Sequence, residues 1–392
     1  MKKTIALGIV FLLVVMSFTS ISGIQLNENI IIPSYKGNTL YVGGSGEGNY
    51  SSIQDAVDNA SDGDAVFVYD DSSPYYEQIN VTKSINLIGE DKDTTVIDSD
   101  CYSTVLISAN KVILTKFTIK NSGEEDWMYY QCIYVTSDNN VISNNNVISK
   151  NKWYREGIRL DIANNNEISG NYISNNYHGI SVVKSINTII SDNIVNSNSI
   201  SGIGIFNDDW DWYNHSNTKI IRNNISNNKD GIYIYSCKYV LISDNNIFYN
   251  DEGLRLGSSS FNTITDNTIS NNFDGIYIGS YSNDNNIYHN NFIDNTDNVY
   301  DEGDNIWDDG KYGNYWYDYE ERYPDAKPRL LFPWMWDTPY EIPSENNTDN
   351  CPLVKQWPNS ASIDMPRDKS TNNILFWSLL ERFSLLQKLI QL

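Results

Sequence analysis

Between residues 133 and 299 apolar and polar positions alternate in short bursts, and the bursts recur at a fixed interval. A Gly-apolar-x-apolar motif stands at Gly157-Ile158, Gly179-Ile180, Gly202-Ile203, Gly231-Ile232, Gly253-Leu254 and Gly275-Ile276, at intervals of 22, 23, 29, 22 and 22 residues. Ile133 and Val299 extend the series by one unit at each end. Between these marks runs Asn-x-Ile-x-x-Asn-x-Ile-x-x-Asn, as in Asn166, Ile168, Asn171, Ile173, Asn176 and in Asn262, Ile264, Asn267, Ile269, Asn272. Asn285, Ile287, Asn290, Phe292, Asn295 repeats it with one aromatic exchange. Apolar residues two apart predict strands, and a helical period of 3.6 does not fit. The intervening Asn predicts sharp bends, because its short amide tolerates left-handed backbone.

One 22-residue unit of two or three short strands cannot bury its own apolar face. Stacking each unit on the next at the usual ~4.8 Å strand spacing solves that problem and predicts a parallel β-helix. The Ile residues then form internal columns. Asn145, Asn171, Asn223, Asn245, Asn267 and Asn290 are expected to stack as an amide ladder, with Asp192 in one turn. Each amide both donates and accepts, so a buried polar column stays satisfied.

Composition supports an ordered chain. Asn is roughly one residue in seven of the 392, and 28 Tyr, 10 Trp and 40% hydrophobic content exclude a disordered polar tract. Fifty acidic against 27 basic side chains give a net charge of −23. That balance excludes a nucleic-acid binder, which needs a basic face for phosphates.

Residues 1–23 read as a secretory signal: Lys2 and Lys3, an apolar run from Ile5 to Met16, then small Ser20, Ser22 and Gly23. The mature chain is therefore expected outside the cytoplasm, secreted or at the cell surface. Six Asn-x-Ser/Thr sites (Asn49, Asn59, Asn80, Asn214, Asn224, Asn346) are open to glycosylation where a host has the machinery. Cys101, Cys132, Cys237 and Cys351 allow three pairings and contain no Cys-x-x-Cys, which argues against a zinc or redox motif.

The units resemble the repeats of the NosD-like and carbohydrate-binding parallel β-helix proteins. The resemblance extends to the opening stretch, with Tyr41-Val-Gly-Gly, Tyr50-Ser-Ser-Ile-Gln-Asp-Ala-Val, Asp62-Gly-Asp and Ile85-Asn-Leu-Ile-Gly, and to the close, with Gly313-Asn-Tyr-Trp and Asp337-Thr-Pro-Tyr-Glu-Ile. It covers roughly residues 37 to 357. It implies an all-β, right-handed coil of about ten turns, a scaffold that hosts lyases, hydrolases, epimerases and non-enzymes alike. The expected organisation is a signal at 1–23, an N-terminal cap and first turns at 24–103, repeats at 104–303, an aromatic-rich cap at 304–360, and a linker with an amphipathic helix at 361–392. Family members often carry a loop rich in Gly and Asp before the Asp-Thr-Pro-Tyr segment. Glu320 to Trp336 departs from it, which weakens any calcium role there.

A solenoid needs capped ends. The sequence predicts an N-terminal helix over 52–60, with Ser51 and Gln54 as a capping box and Ile53, Ala56, Val57 and Ala60 on one face. Gly43-Gly-Ser-Gly-Glu-Gly lacks the Lys-Ser/Thr of a phosphate loop and reads as a tight turn. Ile374–Leu392 is amphipathic and too charged to span a bilayer. It is expected to dock on the coil's open end, or to lie on a membrane surface or a protein partner.

Chemistry in a solenoid belongs to enlarged turns. Three stand out, carrying Trp127, then Trp153 and Tyr154, then Asp208, Trp210, Asp211 and Trp212. They flank one strand column from opposite sides. Alternation puts Tyr134, Arg159, Asp161, Ser181, Phe206, Tyr233, Tyr235, Arg255 and Tyr277 on the outward floor between them. Aromatic faces with interspersed acids and two Arg suit a sugar chain, through stacking on C–H faces and hydrogen bonds to hydroxyls. Asp230, Glu252 and Asp274, each just before its strand, form a column of carboxylates that calcium would suit. No other cofactor is expected.

Arg159 with Asp161 is the one acid–base pairing on the floor. Tyr177-His178-Gly179 carries the His-Gly dipeptide of polygalacturonases without their Asp pairs. Copper handling, the role the NosD resemblance implies, meets only five Met, three His and four Cys, scattered. The reading that results is a monomeric, secreted β-helix binding an extracellular polysaccharide or cell-surface glycan without catalysis. The alternatives are a polysaccharide lyase, hydrolase or epimerase in the same groove, and a copper-maturation factor.

Overall fold

The computed structural model describes residues 37–100, 103–121, 130–150, 155–207, 216–343 and 347–358. Within them the chain winds through three parallel sheets, one strand of each per turn. An eleven-stranded sheet runs from Thr39–Val42 to Asn286–Tyr288, a second from Tyr75–Tyr76 to Tyr315–Trp316, and a ten-stranded sheet from Ile79–Val81 to Asp297–Asp301. The fold is an all-β parallel solenoid of about eleven turns. The intervals of 22 residues are therefore single turns, as the repeat predicts.

Register explains the core. Ile142, Ile168, Ile190, Ile220, Ile242, Ile264 and Ile287 stand directly over one another, and all are fully buried. Each contributes about 1.5–3 kcal/mol by leaving water. The corner after these strands turns within two residues. Its first position is left-handed, with φ of 53° at Asn144, 58° at Asp192, 57° at Asp244 and 58° at Asp266.

The second corner position points inward and builds the ladder. Nδ2 of Asn145 donates to Oδ1 of Asn171 at 3.1 Å, and the bond repeats at 3.0 Å through Asn193, Asn223, Asn245, Asn267, Asn290 and Asn314. The third member, after the strand Ile189–Ser191, is thus Asn193, not Asp192. Asp192 takes the left-handed corner position and pairs at 2.7 Å with Arg222 of the next turn. A carboxylate could not donate to the amide beyond it, so the ladder position needs an amide. A second ladder, Asn176–Asn198–Asn228–Asn250–Asn272–Asn295, fills the corner before the ten-stranded sheet.

The N-terminal helix spans Ile53–Asn59 and buries Ile53, Ala56 and Val57. Its cap differs from the expected box. Ser52 is the N-cap, and Glu77 from the next turn accepts the N–H groups of Ile53 and Gln54 at 2.8 and 3.0 Å. Gln54 is occupied elsewhere, accepting the N–H of Asn80 at 2.7 Å. At the other end the internal column passes into rings. Phe292 stacks on Trp316 at 4.4 Å, and Trp316 on Tyr340 at 4.0 Å. The cap is aromatic, as expected, and it continues the core instead of merely covering it.

Candidate functional site

Six strands of the ten-stranded sheet, from Arg155–Asp161 to Asp274–Ile278, enter through a polar residue followed by glycine. The glycines stack so closely that a Cβ on Gly157 would lie 2.5 Å from the carbonyl oxygen of Gly179. Only glycine permits that approach. The preceding residues form a first column. Ser201, Asp230, Glu252, Asp274 and Asp297 are in direct register, and Glu156 pairs with Gln131 two turns above Ser201.

Beside it runs a second column: Tyr134, Arg159, Ser181, Gly204, Tyr233, Arg255, Tyr277 and Tyr300. Asp161, Val183, Phe206 and Tyr235 make a third. The floor read from alternation is therefore assembled on one sheet.

Arg159 organises one end of the floor. Its Nη1 donates to both Glu156 oxygens at 3.1 Å and its Nη2 to Asp161 at 3.2 Å. Tyr134 donates to the same Asp161 oxygen at 3.4 Å. Glu156 is 2% exposed, and burial raises its pKa, opposed by the Arg159 charge. Next along, Nδ1 of His178 lies 2.6 Å from the Ser201 hydroxyl. Burial, and then the Arg159 charge, push His178 down to about 4, so the ring is neutral at pH 7. Four strands beyond Arg159, Arg255 repeats the arrangement on Glu252 at 2.9 Å.

Rings join the two arginines. His178 meets Phe206 edge-on at 5.5 Å, and Phe206 meets Tyr233 at 5.6 Å. The Arg255 guanidinium lies between the rings of Tyr233 and Tyr277, 5.4 and 5.2 Å from their centroids. Tyr277 stacks on Tyr300 at 5.3 Å. The result is a band of half-exposed rings bordered on one side by carboxylates. Such a surface can stack on apolar sugar faces and accept hydrogen bonds from hydroxyls.

Of the expected site residues, Arg159, Asp161, Tyr233, Tyr235, Asp230, Glu252 and Asp274 fall on this sheet. Trp127, Trp153, Tyr154, Asp208, Trp210, Asp211 and Trp212, the expected walls, lie outside the described residues. The expected calcium ligands Asp230, Glu252 and Asp274 stack in a straight column. Among the described residues no three His, Cys, Asp or Glu side chains converge to hold a metal ion, and Glu252 turns onto Arg255 instead. Sequence reasoning passed over Ser201, Asp297, Tyr300 and the buried role of Glu156. The signal was present, since Glu156, His178 and Ser201 stand before a repeat glycine just as Asp230 does.

The model described as "Periplasmic copper-binding protein (NosD)" matches residues 153–321, and that described as "Right handed beta helix region" matches residues 38–211. Among solved structures the Dettilon tailspike protein is similar at 13% identity and a TM-score of 0.53, over 69% of this chain and 59% of the tailspike. The polygalacturonase of Erwinia carotovora is similar at 12% identity and a TM-score of 0.50, over 70% of this chain and 87% of the enzyme. At such identities the likeness is one of fold. No curated protein matches the sequence.

Proposed function

We propose that this chain, a right-handed parallel β-helix that matches the NosD and right-handed β-helix family models over residues 153–321 and 38–211, is an extracytoplasmic, non-catalytic glycan-binding protein. The observation that carries the reading is the unbroken band from Arg159 through Phe206, Tyr233, Arg255 and Tyr277 to Tyr300. Stacked strands give it a ~4.8 Å period, so a polymer lying along it meets the rings and arginines of successive turns at that spacing. The signal-like residues 1–23 support an extracytoplasmic address; these residues, and the amphipathic stretch 374–392 expected to make a surface contact, lie outside the described residues.

The test is retention of the chain from residue 24 on a polysaccharide array, with and without calcium, scored also for new reducing or unsaturated ends. Retention without products supports binding. The absence of retention on every surface overturns it.

One observation favours a catalytic second reading. Glu156, its pKa raised by burial, shares Arg159 with Asp161 at the edge of the band, and paired carboxyls in unlike environments are what acid–base chemistry on a glycan uses. Products in the same assay would select a lyase, hydrolase or epimerase.

Copper, named in the family description, is not matched by the donors. Among the described residues Cys132 and Cys237 are packed in the core, His178 is held by Ser201, and no three ligating side chains meet.

A further inference from the structure

Resting on the glycan-binding reading, we propose that the site selects a glycan bearing free amino groups, of the de-N-acetylated hexosamine type, and that Asp230, Glu252 and Asp274 receive its ammonium groups. The geometry points to this through charge and through unmet hydrogen bonding.

Both arginines on the floor are already neutralised by acids of their own strand. Arg159 is held by Glu156 and Asp161, and Arg255 by Glu252. Each guanidinium therefore meets a uronate or a sulfated sugar with its charge already offset. The first column is the reverse case. Asp230, Glu252, Asp274 and Asp297 stand on successive strands at ~4.8 Å, and like charges at that spacing repel.

Asp230 is 3% exposed, yet its Oδ1 receives no hydrogen bond from the protein, and neither does Oε2 of Glu252. A buried carboxylate oxygen without a donor costs about 1–3 kcal/mol. Burial raises the pKa of Asp230, with the Arg255 and Lys229 charges opposing it. A ligand with N–H donors and positive charge relieves repulsion and desolvation together. Tyr233 and Tyr277, one column away, supply the faces on which the sugar rings lie.

The experiment is calorimetric titration of the full chain with three probes: a glucosamine hexamer, an N-acetylglucosamine hexamer and a hexagalacturonate. The proposal expects the glucosamine hexamer to bind at least about tenfold tighter than the acetylated one, a difference of about 1.4 kcal/mol, and the uronate not to bind. Because the chain is acidic overall, local capture must be separated from general attraction. Asp230→Asn and Asp274→Asn should each abolish most of the preference, while Glu47→Gln, at an exposed distant position, should leave it unchanged. Tyr277→Ala should weaken both hexosamine probes equally.

Equal binding of the two hexosamine probes would overturn the amino selectivity and leave the glycan reading standing. Uronate binding, or calcium displacing the glucosamine hexamer while binding tightly at the same acids, would also overturn it. A glucosamine preference that Asp230→Asn and Glu47→Gln diminish alike would reduce it to bulk charge. Binding of none of the probes, with no retention on the array, would sink both readings.

Discussion

The backbone N–H of Asn314 donates to Oδ2 of Asp349 at 2.8 Å, and that bond ends the amide column that starts at Asn145. In every rung the amide N–H points toward the following turn, so the last asparagine presents a donor and the C-terminal cap supplies a buried carboxylate to meet it. Asp349 also accepts from Nε1 of Trp316 at 2.9 Å and from the N–H of Cys351 at 3.0 Å. The second ladder ends similarly, Asn295 passing through Asn298 to Asp318. Capping this solenoid is therefore an electrostatic matter as well as an apolar one, in the way that anions suit the donor end of a helix.

Breaking a rung should be costly. Asn267 accepts the backbone and side-chain N–H groups of Asn245 at 3.0 Å each, and donates to the carbonyls of Ile242 and Thr265. Asn267→Ala strands several buried groups at once and is expected to cost about 2–4 kcal/mol. Urea denaturation should show the midpoint fall. Asn267→Asp should be no better, since a carboxylate cannot donate to those carbonyls.

Gly313 lies against the same carboxylate. A Cβ there would come 1.8 Å from Oδ1 of Asp349, so Gly313→Ala must displace the ladder's terminus. The expected loss is at least about 2 kcal/mol. Hydrogen exchange should place the loosening first in the last turns and the cap. Uniform loosening along the coil would contradict the terminus role.

The coil was legible because its period is short and its residues are chemically restricted. Ile two apart and Asn at bends leave few arrangements, and the Gly-Ile marks locate the strand column that carries the floor. Asp192 misled because both adjacent corner positions are polar, although Asn193, two before Val195, has the spacing of Asn171 before Ile173 and marks which of the two turns inward. The left-handed φ of the first position decides it, and both Asn and Asp adopt that backbone readily. Ser51 as a cap failed for a related reason, since Glu77 reaches the helix from a neighbouring turn, at a distance no local motif encodes. The Arg159 cluster was half legible. Arg159 and Asp161 sit two apart on one face, but Glu156, buried three residues before Arg159, falls outside that alternation and joins them through both of its carboxylate oxygens.

Two buried groups should give opposing pH dependences of stability. Burial lifts Asp349 from 3.8 to about 7, so between roughly pH 4 and 7 the native state binds more protons than the unfolded chain, and stability falls as pH rises. Burial lowers His178 from 6.5 to about 4, so between those values the native state binds fewer protons, and stability falls as pH drops. The two contributions oppose one another from pH 4 to 6.5, and the carboxyls of Glu156, Asp230, Glu252, Asp274 and Asp301, also raised by burial, add to the Asp349 side. His178→Gln should unmask Asp349 and make the protein more stable on acidification from pH 7. Asp349→Asn should do the opposite, with losses appearing below pH 6.5. Thermal midpoints of the three chains across that range would check the sign of each slope, and parallel profiles would refute the assignment.

Arg159 sets the state of the buried Glu156, and a three-variant cycle separates that structural duty from recognition. Arg159→Met leaves the Glu156 carboxylate desolvated without its counter-charge, at an expected cost of about 1–3 kcal/mol, less than for a wholly buried pair because the guanidinium is a quarter exposed. Adding Glu156→Gln removes the stranded charge and should recover most of the loss, giving a coupling well outside the error of additive sites. Urea midpoints of the two single variants and the double variant measure it. The same proteins then address chemistry: a binder keeps its aromatic contacts in Glu156→Gln and loses little retention, whereas an enzyme using Glu156 as its acid loses turnover in a variant that remains folded. Stability recovered in the double variant alongside unchanged retention would assign the Glu156–Arg159 pair to holding the floor in shape.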